Sequence, residues 1–350
     1  MIAFRGVFMS KKNVTFSDIA EYTGFSKTTI SRYFNNPESV TLENQQIIAD
    51  ALTALDYKEN KVARIFASGK TEFIGVIVPN LYLGFYSEIL ERLLSSYEKY
   101  GYKFIVFAGN GQLEREHSYV KELLAYKIEG IIILSHAISS EELASYNIPV
   151  VAIEREDKYV CSVKTDNFEG GKMAAEMLLK SGCERLFHIN SKTSSDVPAY
   201  GRIEGFRNIC RERNIPSEMF ISDWGSSYKE VSENTADIIK YLDEKYSGCK
   251  KGVFVSNDTH ANVFLNLLIR KYGKMPDDYS IVGFDNSSIS SEAVVPISTI
   301  GQQTDIIAAE AMELLLNQII EQKKRRPVPL KEPIHKVISP VAIQRETTKM

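Results

Sequence analysis

The spacing of apolar residues divides the chain into two unlike stretches. Between residues 14 and 57 they recur at helical intervals in short bursts. Ile19, Ala20, Phe25 and Ile30 can close a small core, while Ile48, Ala51, Leu52 and Leu55 form the inner stripe of a third helix opened by Thr41. Tyr57 closes that core. From Phe73 onward, compact apolar runs alternate with amphipathic segments. Strands are expected near 73–78, 103–108, 130–135, 149–154, 185–190, 252–257 and 280–285, with helices between them. Such alternation predicts parallel sheets wrapped by helices, and over more than 250 residues it exceeds what one sheet usually needs.

The polar positions of the first stretch carry the sharper message. Thr15 is placed to cap a first helix, with Asp18 reaching back as in a capping box. Gly24 supplies a left-handed exit and Ser26 caps a second helix, so the pair reads as a helix-turn-helix. Lys27, Thr28, Thr29, Ser31 and Arg32 then point outward: short donors, acceptors and cations on an amino-terminal turn that suits the major groove of DNA. Thr15, Phe16, Ser26, Asn35 and Tyr57 complete the DNA contacts expected from this head.

The linker makes the comparison specific. Helix-turn-helix, third helix, Asn60-Lys-Val-Ala63-Arg and then Ile74-Gly-Val-Ile-Val-Pro79 follow one another in an order that resembles the lactose-repressor/galactose-repressor (LacI/GalR) family of bacterial transcription regulators. The resemblance implies a small all-α helix-turn-helix domain followed by an α/β two-lobed periplasmic-binding-protein-like core of parallel sheets flanked by helices. It implies a disordered extension over 1–13, a DNA-binding domain over 14–58, a hinge helix over 59–70 and an effector-binding and dimerisation core over 71–350. The lobes are expected at roughly 71–163 plus 296–325 and 164–295 plus 326–347. In the hinge, Asn60 and Ala63 match the family pattern, and Phe66 stands where a leucine wedge usually opens the central base step of the minor groove.

Ligands of open parallel sheets sit beyond the carboxyl ends of the strands. Asp166, Arg202, Trp224, Asn257 and Asp285 fall there, at positions that the resemblance assigns to the effector cleft. Phe85, Tyr86 and His136 point at it from the opposite lobe. Asp, Asn and Arg bridge neighbouring hydroxyls, and an indole offers a flat face to a sugar ring. The expected effector is therefore a sugar or sugar phosphate.

Composition adds exclusions. The net charge is −3, and residues 1–70 carry nine Lys and Arg against seven Asp and Glu, a mild local excess that favours a dimeric reader with doubled contacts. Cys161, Cys183, Cys210 and Cys249 are spaced by 22, 27 and 39 residues, which supports neither a zinc site nor a redox pair. No apolar run reaches the length of a membrane span, no export signal opens the chain, and no nucleophile-base pair or phosphate loop is visible. The expectation is a cytoplasmic homodimeric repressor of a carbohydrate operon, without cofactor or enzymatic activity. Its expected partners are operator DNA and a small effector, with Met1 and Met9 both open as the natural start and no tetramerising tail expected. A regulator controlled by a protein co-effector, and an exported solute-binding protein, are the alternatives.

Overall fold

The structure is a computed structural model that describes residues 14–58 and 71–348 except 156, 157, 196, 226, 329 and 331. The chain forms two compact units that divide between Lys70 and Thr71.

In the first unit, α1 (Phe16–Thr23), α2 (Lys27–Asn35) and α3 (Leu42–Ala54) surround Ile19, Ala20, Ile30 and Ile48. The capping box forms as the sequence predicts: Asp18 N–H donates to Thr15 Oγ1 at 3.4 Å, and Thr15 N–H donates to Asp18 Oδ2 at 2.7 Å. Gly24 ends α1 at φ 73°, a value that costs little only without a Cβ. Ser26 Oγ accepts from Thr29 N–H at 3.1 Å and opens α2. Each fully buried isoleucine stabilises this small core by about 1.5–3 kcal/mol relative to exposure.

The second unit holds two six-stranded sheets. β1 (Phe73–Val78), β2 (Lys103–Ala108), β3 (Gly130–Ile133), β4 (Val150–Ile153) and β5 (Cys161–Thr165) build the first, with α4 (Gly84–Ser95), α5 (Tyr97–Tyr100), α6 (Leu113–Ala125) and α7 (Ser140–Ser145) between them. After α8 (Asn167–Lys180) come β6 (Arg185–Ser191), α9 (Tyr200–Glu212), β7 (Ser217–Ser222), α10 (Tyr228–Lys245), β8 (Lys251–Val255), α11 (Asp258–Tyr272), β9 (Tyr279–Asp285), α12 (Ser288–Glu292) and β10 (Ser298–Gly301). The chain closes with α13 (Thr304–Gln322), β11 (His335–Ile338) and β12 (Val341–Ile343).

Strand order is β11-β5-β4-β3-β1-β2 in one lobe and β12-β10-β9-β8-β6-β7 in the other. All neighbours run parallel except β10 and β12. Three connections therefore cross between lobes: after β5, after β10, and between β11 and β12.

These crossings revise the expected lobe limits. The return to the first lobe comes after Gly301 and not near 296, because β10 pairs with β9. The last switch comes after Ile338 and not near 326, because β11 pairs with β5. Between these points α13 seals the first lobe with Ile307, Ala308, Ala311, Met312 and Leu315. Strands β5, β7, β10 and β11 were absent from the apolar pattern. Cys-Ser-Val-Lys-Thr and Ser-Thr-Ile-Gly are too short and too polar to stand out, although both are almost wholly buried.

Glycines fix the approach of α8 to α9. A Cβ on Gly205 would lie 1.9 Å from Phe168 O, and one on Gly171 would lie 2.2 Å from Arg202 O. The two helices thus meet backbone to backbone, with Arg202 against the first turn of α8.

Candidate DNA-reading face and inter-lobe cleft

On the head, Lys27, Thr28, Arg32 and Asn35 are exposed along α2, and Thr29 and Ser31 are half-buried. Part of this face is arranged in advance. Ser26 Oγ lies 2.9 Å from Thr29 Oγ1, and Asn35 Nδ2 donates to Ser31 Oγ at 3.1 Å. Phe16 and Tyr57, expected among the DNA contacts, are half-buried in an aromatic corner. Phe16 stacks on Phe34 with centroids 5.0 Å apart, and Tyr57 packs 5.7 Å from Phe34. Thr15 and Ser26 use their hydroxyls as caps. Asn60, Ala63 and Phe66 lie outside the described residues.

The cleft between the core lobes is built around Arg202, which the α8–α9 contact carries inward. Its Nε donates to Asn167 Oδ1 at 2.8 Å, one terminal nitrogen donates to Ser256 O at 2.6 Å, and the guanidinium lies 3.6 Å from the centre of the Phe284 ring. Glu154, just beyond β4, accepts from Thr165 N–H at 2.6 Å and from Asn167 Nδ2 at 2.9 Å. Thr165 Oγ1 donates to Gln302 Oε1 at 2.5 Å, and Gln302 Nε2 donates to Asp285 Oδ1 at 2.7 Å. A continuous network therefore joins the ends of β4, β5, β9 and β10, including two of the three crossings.

Two members of this network sit in left-handed backbone: Glu154 at φ 54° and Asp285 at φ 111°. Such conformations cost about 1–3 kcal/mol each in a non-glycine residue, a strain that concentrates at functional sites. Burial pushes the Asp285 carboxyl up to about 7, opposed by the Arg202 charge and the Gln302 hydrogen bond. Asp258 is also pushed well above the usual carboxylate range by burial and by Asp285, although Thr299 Oγ1 at 2.7 Å and Ser287 N–H at 2.8 Å donate to it. From the first lobe, burial and the Asp285 charge push the Tyr86 hydroxyl up to about 12, while Arg202 draws it down. Tyr86 thus feels the second lobe's charges across the cleft.

The lobes also touch directly. Gly84 N–H donates to Thr259 Oγ1 at 3.2 Å, and Ser288 N–H donates to Glu88 Oε1 at 2.7 Å. A Cβ on Gly84 would come 2.8 Å from Ser287 Cβ. The arrangement is a closed one.

Of the expected cleft residues, Arg202, Asp285 and Tyr86 come together. Phe85 is buried in the first lobe's core beside Ile89 and Leu93. Trp224 is only 2% exposed, packed in the second lobe's core with its Nε1 donating to Asn190 O at 3.0 Å, so its ring offers no open platform. Asp166 caps α8 through Glu169 N–H at 3.0 Å, and Asn257 caps α11 through His260 N–H at 2.8 Å. His136 is exposed. The sequence offers Asp258 beside Asn257 at the end of Gly-Val-Phe-Val-Ser, but it does not single out Glu154, Asn167 or Gln302. Asn167 adjoins Asp166 and Glu154 ends an apolar strand, so position alone points to both. Gln302 follows a strand the pattern did not reveal.

Comparison with known proteins agrees with this architecture. Residues 15–60 match the model for bacterial regulatory proteins of the lacI family, and 71–227 match that for periplasmic binding proteins and the sugar binding domain of the LacI family. Residues 175–348 match a periplasmic binding protein-like domain. The chain belongs to the lacI family of bacterial regulatory proteins. This family member is 29% identical to a sucrose operon repressor of Streptococcus mutans over 87% of its own length and 93% of the relative's. It is 26% identical to a ribose operon repressor of Halalkalibacterium halodurans over 96% and 97%. Its fold is that of the lac repressor dimer bound to operator and the anti-inducer ONPF, with TM-score 0.80 at 22% identity over 97% of this chain and 100% of that one. A CelR–cellobiose complex is similar with TM-score 0.66 at 20% identity over 96% and 100%.

Proposed function

We propose that this lacI-family chain is a cytoplasmic, homodimeric, operator-binding repressor, with no enzymatic activity, whose grip on DNA is set by a sugar held between the core lobes. The observation that carries the effector half is the strained and buried network Glu154–Asn167–Arg202 and Gln302–Asp285, which spans the crossings that hinge motion must bend. Its hydroxyl-bridging groups suit a polyol. Three carboxyl groups, Glu154, Asp258 and Asp285, crowd one guanidinium. Even with burial favouring the protonated forms of Asp258 and Asp285, the cleft has no cation to spare for a phosphoryl group among the described residues, so it favours an unphosphorylated sugar over a sugar phosphate. The relatives' names, sucrose and ribose operon repressor, agree with a carbohydrate role.

The head supplies the other half. Lys27, Thr28, Thr29, Ser31, Arg32 and Asn35 read base edges and phosphates along the length of α2. A sugar that contacts both lobes shifts the population toward one lobe angle, and that shift changes operator affinity. Tenfold selectivity between the two states moves the balance by only about 1.4 kcal/mol, so a strong response requires more. Among the described residues no helix is long and apolar enough to cross a membrane, and none group to hold a metal.

Selection of bound fragments from a bacterial promoter library tests the reading, followed by titration with neutral mono- and disaccharides. It predicts a defined near-palindromic site whose affinity changes with one sugar class. Indifference to fragment sequence would refute it.

A further inference from the structure

A second concavity, of about 810 Å³, lies at the edge of the first sheet where β5 and β11 pair. Its walls come from both lobes. Lys158, Lys164, His335 and Val337 belong to the first, and Phe168 and Tyr200 to the second. None of these six takes part in the Arg202 network.

The electrostatic character differs from that of the cleft. Three basic side chains from the β4–β5 loop, β5 and β11 converge on the concavity. Among the described residues two carboxylates also line it, each with a partner of its own: Asp166 Oδ1 accepts from Glu169 N–H at 3.0 Å, and Glu204 Oε1 accepts from Arg207 at 3.1 Å. His335 is oriented by Ser162, whose Oγ lies 2.8 Å from its Nδ1. Beside these side chains, Phe168 and Val337 leave 44% and 54% of their surfaces open, apolar area of the kind that marks a ligand groove when it lines a hollow.

We propose that this hollow is a second ligand site, for a small phosphorylated metabolite whose phosphoryl group meets Lys158, Lys164 and His335 while its carbon skeleton covers Phe168 and Val337. The site goes beyond the sugar cleft and is separate from it in charge, but not in mechanics. Thr165 and Asn167 line the hollow and also bind Gln302, Glu154 and Arg202 in the cleft network. A ligand there touches both lobes next to the β5 and β11 crossings, so it biases the same lobe angle that the sugar biases. By linkage, each ligand alters the other's affinity by one common factor.

Calorimetric titration of the full-length protein with glucose 6-phosphate, inorganic phosphate and glucose tests this. Three proteins are compared: the parent, the double variant Lys158→Ala/Lys164→Ala, and the charge-matched control Lys229→Ala/Lys240→Ala on α10. The expected result is saturable binding of glucose 6-phosphate, and more weakly of phosphate, to parent and control. The Lys158/Lys164 variant should bind about tenfold more weakly while retaining the parent's melting temperature. If phosphate alone binds as tightly as glucose 6-phosphate, the phosphoryl contact stands but the apolar contact with Phe168 and Val337 is refuted. Equal affinity in all three proteins, an apparent Kd that grows without limit as an unphosphorylated, operator-releasing sugar is added where linkage would level off, or no saturable binding at millimolar concentrations would overturn the proposal. A protein that answers a neutral sugar at its operator yet binds no phosphate loses this site and keeps the function proposed above.

Discussion

The reading head and the sugar cleft make opposite use of polar residues. On α2 the side chains proposed to meet DNA are exposed or half-buried, with single hydrogen bonds joining Ser26 to Thr29 and Asn35 to Ser31, so changing them should cost the head little. In the cleft, Arg202, Glu154, Asp258 and Asp285 are buried, and each is held by hydrogen bonds to uncharged neighbours, Asn167, Ser256, Thr165, Thr299, Ser287 and Gln302. The contrast teaches that recognition and stability are separable at the head and coupled in the cleft. A buried charge must be satisfied for the fold to persist, so a ligand that enters the cleft redistributes interactions already in place.

The strongest way to break the contrast is Arg202→Ala. Removing one partner of a buried charged network leaves carboxylates uncompensated, at a cost of about 3–5 kcal/mol. Calorimetry should show the core's unfolding transition lowered and the sugar response abolished; a parent-like melting profile would deny the coupling. Next is Gly84→Ala, which forces Cβ atoms to 2.8 Å across the lobe contact. It should weaken the closed state and lower sugar affinity several-fold in fluorescence or calorimetric titration, with the head's DNA contacts unaltered.

At the head, Arg32→Ala should cost about 1–3 kcal/mol and relax preference at one base position, with no change in melting temperature. Competition between operator and mutated duplexes measures it, and a fall in stability would place Arg32 with the cleft's kind of residue. Asp285 gives a pH test. Its folded carboxyl titrates near 7 against an ordinary 3.8, so the folded chain holds a proton that the unfolded chain has lost. This contribution to stability is complete below 3.8 and disappears as pH rises through about 7. Asp285→Asn should flatten the pH dependence of chemical denaturation in that window. The smallest effect belongs to Lys27→Ala, which should reduce the salt slope of operator binding by about one unit if it meets a phosphate.

Much of the head was legible because its signals are local: a cap, an acid three residues on, a glycine exit and a second cap all lie within twelve residues, Thr15 to Ser26. The strands with dense apolar runs were legible for a similar reason. What escaped was set by partners distant in sequence. β10 is a polar tetrapeptide whose strand character comes from lying between β9 and β12, and Gln302 gains its role only once that strand is in place. Trp224 and Phe85 were expected at the ligand because aromatic type and approximate position fitted, yet packing took both into the cores. Gly171 and Gly205, which deliver Arg202 to Asn167, are read as close-approach glycines only when α8 and α9 are seen together.

The central claim is that sugar occupancy and DNA grip are thermodynamically linked, and reciprocity tests it most directly. Affinity of the purified full-length chain for the effective sugar should be measured with and without saturating operator duplex, and operator affinity with and without saturating sugar. The account predicts the same factor, well above unity, from both routes, and its loss in the Asp285→Asn variant. A ratio of one, with both ligands bound, would contradict it.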